Sequence, residues 1–320
     1  MATVHDYGHT LSDSVRLSAY WTALSRQLRP GMVVLDVGAG CGIFSLMACR
    51  LGARKVYAMA DRATIETGQR LAMENGYGGR IEFAGDVGEF EMPAPVDLIV
   101  GDPRVALPLQ GPLLQQFAAA RRDWVAGDGI VIPARDSICA AVVEAESLYD
   151  ARLRPWRCGF SVRAALQAEL NHVGRVSFGA GSLVTRPRKW CEIDYRAPAP
   201  EEIGARLEWG VPRNSTAHGL ALWFDTDLGA GVGFSCSPEG RPMVYGQAFL
   251  PWTEPVPLER GDRVRVELMC RAAAGGYTWF WNTEGRPRGN GAAINFRQST
   301  LYSGEVRTGV AGERLRAAAY

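Results

Sequence analysis

Lysine is nearly missing from this 320-residue chain: Lys55 and Lys189 are the only two, so arginine carries the rest of the 35 basic charges. That bias suits GC-rich coding better than a dedicated binding role. Set against 34 acidic residues, it leaves a formal net charge of +1, which gives no global field to draw in nucleic acid or an anionic membrane. Long apolar runs are missing too. None approaches the roughly 18 residues that cross a bilayer, and residues 1–13 are polar, without the basic, apolar and small-residue order of a secretory signal. The expectation is a cytoplasmic protein with neither a nucleic-acid nor a membrane partner. Cysteine pairs are also lacking: Cys41, Cys49, Cys139, Cys158, Cys191, Cys236 and Cys270 are scattered with no C-x-x-C spacing, and only four histidines accompany them. Reduced thiols and no metal site are expected.

What is present is apolar mass and a change of texture. Hydrophobic residues make up 47% of the chain, enough for one large or two medium domains. Over residues 13–28, Val15, Leu17, Ala19, Tyr20, Ala23 and Leu24 recur at helical spacing, and Pro30-Gly31 ends the pattern. Strands are expected at 33–37, 55–60, 81–84, 96–100 and 129–132, alternating with helices at 42–51, 63–75 and 113–124. That alternation implies crossovers and an open, mostly parallel sheet. After Pro133 the runs 137–143, 218–224, 242–250, 263–270 and 277–282 are short and separated by Gly and Pro turns, the pattern of an antiparallel barrel or sandwich. Residues 160–173 read as a helical excursion, and the Pro-rich 186–202 as a connector. The fold expected is therefore α/β: a Rossmann-like parallel sheet over residues 31–133, then an antiparallel β-barrel or sandwich over 134–320.

The chemistry concentrates in Val34-Leu35-Asp36-Val37-Gly38-Ala39-Gly40-Cys41-Gly42, a glycine-rich turn between a strand and a helix. Glycine tolerates φ > 0 and lets a ligand approach the backbone. A dinucleotide fingerprint would place its third glycine at Ile43; here it is Gly42. The strand, Asp36 and the G-x-G-x-G spacing resemble motif I of the class I S-adenosylmethionine methyltransferases. In such a site the next strand ends in an acid that accepts from the ribose hydroxyls. Here that strand ends in Ala60, and Asp61 comes one residue late, either to meet the ribose or to cap the helix expected from Ala63. Gly85-Asp86-Val87 stands where that superfamily meets the adenine, with Asp86 either an adenine acceptor or a turn residue.

A narrower resemblance follows. Asp13-x-Val15-Arg16-x-x-x-Tyr20, the glycine motif and Leu51-Gly52-Ala53-Arg54-Lys55-Val56 resemble the amino-terminal half of protein arginine methyltransferases. Trp124-x-x-x-Asp128-Gly129-x-x-x-Pro133, Gly233-Phe234-Ser235 through Pro238, and Gln247 to Gly261-Asp262 resemble that family's barrel. The likeness runs from about Asp13 to Gly285. It implies S-adenosylmethionine as donor, a segment 1–30 folded over it, and Gly38, Ala39, Gly40, Gly42, Asp36, Asp61, Asp86 and Val87 around it. It implies also that Arg16 pairs with the methionine carboxylate, as a guanidinium fork suits, and that residues 160–185 form a shortened dimerisation arm in a homodimer.

The departures bear on the acceptor. The family's loop after the fourth strand carries two glutamates, in S-E-W-M-G and nine residues on. Here Asp102 takes the first place in Gly101-Asp102-Pro103-Arg104-Val105, and Gly111 stands at the second. The family's Thr-His-Trp loop becomes Met243-Val244-Tyr245. Most of an ionic clamp for arginine is thus missing. Methyl transfer from a sulfonium is an in-line displacement that needs alignment and exclusion of water. A single carboxylate suits an amine, with Asp102 orienting it or accepting its proton, unless Asp102 merely opens a turn before Pro103. Tyr245 lines the pocket or belongs to the barrel core. The leading expectation is a methyltransferase acting on an amine or guanidine nitrogen of a peptide or specialised metabolite. An inactive S-adenosylmethionine-binding protein and an O-methyltransferase are the alternatives. His5 and His9 read as solvated, His172 and His218 as structural, and Trp279-Phe280-Trp281 as packing rather than base stacking.

Overall fold

Asp13 divides the amino-terminal segment into two helices. In the computed structural model, which describes residues 4–92, 95–286 and 294–303, and leaves the side chains of 4–6, Val87 and Arg286 undescribed, α1 spans Val4–Ser12 and α2 spans Ser14–Gln27. The Asp13 carboxylate accepts from Arg16 N at 3.0 Å and caps α2. The buried positions Arg16, Tyr20, Ala23 and Leu24 form one face of α2. The resemblance implies a helical segment over residues 1–30, and α1 and α2 both fall within it, although the polar residues of α1 show no helical periodicity of their own.

The alternating pattern then produces β1 (Val33–Val37), α3 (Ile43–Arg50), β2 (Lys55–Met59), α4 (Arg62–Glu74), β3 (Ile81–Ala84), β4 (Val96–Gly101), α5 (Leu113–Trp124) and β5 (Val125–Ile132). These strands pair in parallel in the order β3-β2-β1-β4-β5. Val34, Leu35, Leu98, Ile99 and Val100 have no exposed surface, as strands covered on both faces require. Strand order reverses between β1 and β4. A crevice therefore opens beyond their carboxyl ends, the usual ligand position in such sheets.

From β6 (Arg135–Val143) the chain turns antiparallel. A helical arm follows, α6 (Glu146–Leu153) and α7 (Arg163–Leu170), then β7 (Gly174–Val176), β8 (Arg188–Asp194), β9 (Glu202–Gly210), β10 (Ser215–Gly229), β11 (Val232–Ser235), β12 (Gln247–Leu258), β13 (Arg263–Ala273), β14 (Gly276–Arg286) and β15 (Ile294–Ser299). One sheet has the order β7-β12-β10-β6-β8 with β11 on β10, and the other β15-β14-β13-β9. Indole N–H groups join them: Trp190 of β8 donates to Leu268 O of β13 at 3.1 Å, and Trp281 of β14 to Pro251 O of β12 at 3.2 Å.

Three expectations need correction. Residues 186–202 are no mere connector, because β8 occupies their centre, pairs with β6 and buries Trp190 and Ile193. Residues 242–246 do not belong to the strand: Gly246, at φ +58, donates to Met243 O in a turn, and β12 starts at Gln247. The excursion at 160–173 is only the second helix of an arm that starts at Glu146, with Phe160 84% exposed between the two.

Gly101 ends β4 where the backbone itself packs. A Cβ there would sit 2.6 Å from Val37 O and 3.0 Å from the Phe117 ring. Gly101→Ala is expected to cost about 1–3 kcal/mol by overpacking, read as a lower urea midpoint; an unchanged midpoint would contradict this packing.

Candidate active site

The turn from β1 into α3 runs through Gly38, Gly40 and Gly42 at φ +72, +54 and +84, a path that side-chain-bearing residues rarely follow. The Tyr7 ring of α1 lies on Gly40 where a Cβ would stand, and its hydroxyl donates to Ala39 O at 2.7 Å. Beside this turn is a cavity of about 360 Å³ bordered by Tyr7, Gly38, Gly40, Asp61, Asp86 and, from α5, Gln116. Asp61 stands at the N-cap position of α4, yet its side chain makes no capping bond; Thr64 N donates to its backbone carbonyl instead. The Asp61 side chain is thus left to the cavity. Asp86 holds the turn, its Oδ1 accepting from Gly88 N at 2.9 Å, and the residue also borders the cavity.

Beneath the turn Asp36 is fully buried. Its Oδ2 accepts from Ser45 Oγ at 2.7 Å, and its Oδ1 has no partner among the described residues. Burial pushes this carboxyl up to about 7, against the hydrogen bonds from Ser45. Arg16, 4% exposed, has its guanidinium 5.0 Å from the centre of the Phe44 ring. Its Nε donates to Asp102 Oδ2 at 2.7 Å and to Tyr245 Oη at 3.0 Å, whereas Nη1 is buried with no partner among the described residues. Two buried polar atoms of opposite preference, one acceptor and one donor, are left over near the glycine turn. Such atoms are costly unless something pairs with them.

Asp102 is held on every side. Tyr245 Oη donates to its Oδ2 at 2.6 Å, alongside Arg16, and Arg104 Nη1 donates to Oδ1 at 3.0 Å. Arg104, whose side chain has no exposed surface, makes a forked pair with Asp136: Nε to Oδ2 at 2.7 Å and Nη2 to Oδ1 at 2.8 Å. It also donates to Thr226 Oγ1 at 2.7 Å and to Tyr20 Oη at 2.9 Å, and Tyr195 donates to Asp136 Oδ2 at 2.7 Å. Burial alone raises the Asp102 carboxyl, but Arg16 and Arg104 together outweigh it and hold it below the usual carboxylate range. The sequence leaves Asp102 either to orient an amine or accept its proton, or to open a turn before Pro103. The structure puts three donors on its two oxygens and a guanidinium beside each.

A family model for the arginine methyltransferase oligomerization subdomain matches residues 134–276, and one for ribosomal protein L11 methyltransferase matches residues 18–107. Protein arginine N-methyltransferase 1 of Oryza sativa subsp. indica is 26% identical over 265 residues, which cover 79% of this chain and 68% of the relative. An arginine N(omega)-methyltransferase of Streptomyces achromogenes subsp. streptozoticus is 24% identical over 271 residues, 81% of this chain and 74% of the relative. Among solved structures, the Trypanosoma brucei PRMT1 enzyme-prozyme heterotetrameric complex with AdoHcy superposes with a TM-score of 0.81 at 22% identity, covering 92% of this chain and 96% of that one. The chain is a class I methyltransferase resembling the protein arginine methyltransferases. It is an S-adenosylmethionine-dependent N-methyltransferase.

The methyltransferase brings most of the residues singled out in its sequence to one crevice: Gly38, Ala39, Gly40 and Gly42 in the turn, Asp36 and Arg16 below it, Asp61 and Asp86 at the cavity. The side chain of Val87 lies outside the described residues, as does that of His5. Tyr245 is both core and site, for its ring packs on Phe224 and Phe234 while its hydroxyl reaches Asp102. His9 is exposed, and His218 is structural, accepting from Ala145 N at 3.2 Å. Sequence reasoning missed Tyr7, Arg104 and Asp136. The one available sign was that Arg104 stands two residues from Asp102. Asp136→Ala, which strands the buried Arg104, is expected to lower stability by about 3–5 kcal/mol; a loss under about 1 kcal/mol in denaturant unfolding would contradict the fork.

Proposed function

We propose that the leftover atoms of Arg16 and Asp36 receive the methionine end of S-adenosylmethionine, Nη1 of Arg16 donating to its carboxylate and Oδ1 of Asp36 accepting from its amino group. These two unpartnered buried atoms are the observation that carries the reading, since the cofactor supplies the complement of each. The adenosine then lies in the cavity, with the ribose hydroxyls donating to Asp61 and the adenine near Asp86 and Val87. Gly38, Ala39, Gly40 and Gly42 let it pass close to the backbone, and Tyr7 covers the turn.

When bound, the cofactor supplies an electrophilic methyl on a sulfonium. The chain's own part is to orient it, exclude water and present an acceptor nitrogen in line. Tyr245 and Asp102 border the acceptor side, and Asp102 acts through Arg16 and Tyr245, keeping both in place. The acceptor is an amine or guanidine nitrogen of a peptide or specialised metabolite. The relatives named for arginine methylation support nitrogen, and Gly111 in place of a second acid widens the choice beyond arginine. Residues 1–30 cover the cofactor, 31–133 bind it and 134–320 receive the acceptor. The arm near residues 160–185 and the exposed Phe160 support a homodimer, and seven free cysteines support a cytoplasmic setting.

Calorimetric titration with S-adenosylmethionine, then transfer of labelled methyl to a panel of amines and guanidines, tests this function; a folded chain that binds no cofactor would overturn it. Arg16→Ala is expected to weaken cofactor binding about 10- to 100-fold, the loss of a charge-assisted hydrogen bond. Asp36 gives a pH signature. Below about 7 its carboxyl is protonated and offers no charge to the cofactor's ammonium. Affinity should therefore rise as pH increases through about 7, and Asp36→Asn should bind weakly with a flat profile. A wild-type profile that is equally flat would remove Asp36 from the site.

A further inference from the structure

Arg104 is the buried charge that the methyltransferase reading leaves unused. We infer that Arg104 sets the charge class of the methyl acceptor: by neutralising Asp102 permanently, it makes the site take a nitrogen that arrives as an uncharged free base, such as an aromatic amine or imidazole, and refuse guanidinium and alkylammonium cations. This rests on the methyltransferase function proposed above and names its substrate class.

Three donors, Arg16 Nε, Tyr245 Oη and Arg104 Nη1, already sit within 2.6–3.0 Å of the two Asp102 oxygens. A cationic acceptor would have to share Asp102 with two guanidinium groups, beside one of them at Oδ1, and Arg104 cannot swing away, because Asp136, Thr226 and Tyr20 hold its remaining N–H groups and Tyr195 locks Asp136. Charge adds to this. Arg16 and Arg104 balance Asp102 and Asp136, so the cluster offers no net negative charge to a cation arriving next to the cofactor's sulfonium.

Among the described residues, the other titratable groups around the cluster are committed or held neutral, the Cys236 thiol being pushed up by burial. The Asp13 carboxylate caps α2 and accepts from Val244 N at 2.9 Å. Tyr20 donates to Gly101 O, and burial pushes the Tyr20, Tyr195 and Tyr245 hydroxyls up, away from any use as a base. Asp36 lies fully buried, with Oδ2 on Ser45 and Oδ1 assigned above to the cofactor's amino group. With no free base among these described groups, the acceptor must bring its own lone pair. That pair forms the N–C bond to the methyl carbon, the C–S bond breaks with its electrons going to sulfur, and the methylated nitrogen, now cationic, loses its proton to water.

The test compares kcat/KM, with labelled S-adenosylmethionine, for an arylamine, an imidazole, an alkylamine and an arginyl peptide across pH. For the wild type, the uncharged acceptors should lead the arginyl peptide by at least about tenfold. For each amine kcat/KM should fall about tenfold per unit below that amine's own pKa. Arg104→Met combined with Asp136→Leu removes the buried pair together. It should raise the ratio of cationic to neutral acceptor use about tenfold and tighten calorimetric binding of a guanidinium compound to the complex with demethylated cofactor. Arg104→Lys, which keeps the charge, should leave the ratio near wild type. A merely structural Arg104 would lower all acceptors alike. The wild-type pH profile decides even where a variant fails to fold. Arginyl peptide methylated as well as the neutral acceptors, or a ratio unmoved in the folded double variant, overturns this inference alone. Cofactor binding with transfer to no nitrogen acceptor overturns the proposed function and the inference with it.

Discussion

Four buried charges in a row, Arg16, Asp102, Arg104 and Asp136, tie the two halves of the molecule together. Arg16 comes from α2, Asp102 and Arg104 from the loop after β4, and Asp136 from the first strand of the antiparallel half. Removing such groups from water is costly, so the cluster persists only because nearly every lone pair and N–H finds a partner. What it contributes is position more than stability. Tyr245 joins from the turn before β12, Tyr195 from beyond β8 and Thr226 from β10, so the parallel sheet and the antiparallel sheets meet in one register.

That cluster also divides the site. On the glycine-turn side it leaves Arg16 Nη1 free to donate, within reach of the electrostatic influence of Asp36. On the other side it presents an Asp102 whose charge is spent. The donor side keeps the residues expected of an S-adenosylmethionine site. On the proposed acceptor side an internal arginine stands against Asp102, so the two sides have different bearing on how far the resemblance to arginine methyltransferases extends.

The legible parts of the sequence were those whose signal is local. The β1-turn-α3 unit announces itself through Asp36 and three glycines within a few residues, and the strand-helix alternation places β1 to β4 within one residue, while β5 starts at Val125, four residues before the expected 129. The position of Asp102 was visible too. Its engagement was not, because Asp136, Thr226 and Tyr245 reach it or Arg104 only through tertiary folding. For the same reason Tyr7 escaped notice: its role depends on lying across Gly40, and α1 is too short and polar to show periodicity. The prolines around residues 186–202 masked β8, which folds as a strand because Trp190 and Ile193 alternate into the core.

The most direct measurement is a crystal structure of the wild-type protein with the demethylated cofactor bound. The account predicts its carboxylate on Arg16, its amino group on Asp36, its adenosine between Asp61 and Asp86, and Asp102 still bonded to Arg16, Tyr245 and Arg104. A bound structure in which Arg104 has left Asp102, freeing a carboxylate oxygen toward the sulfur, would contradict it.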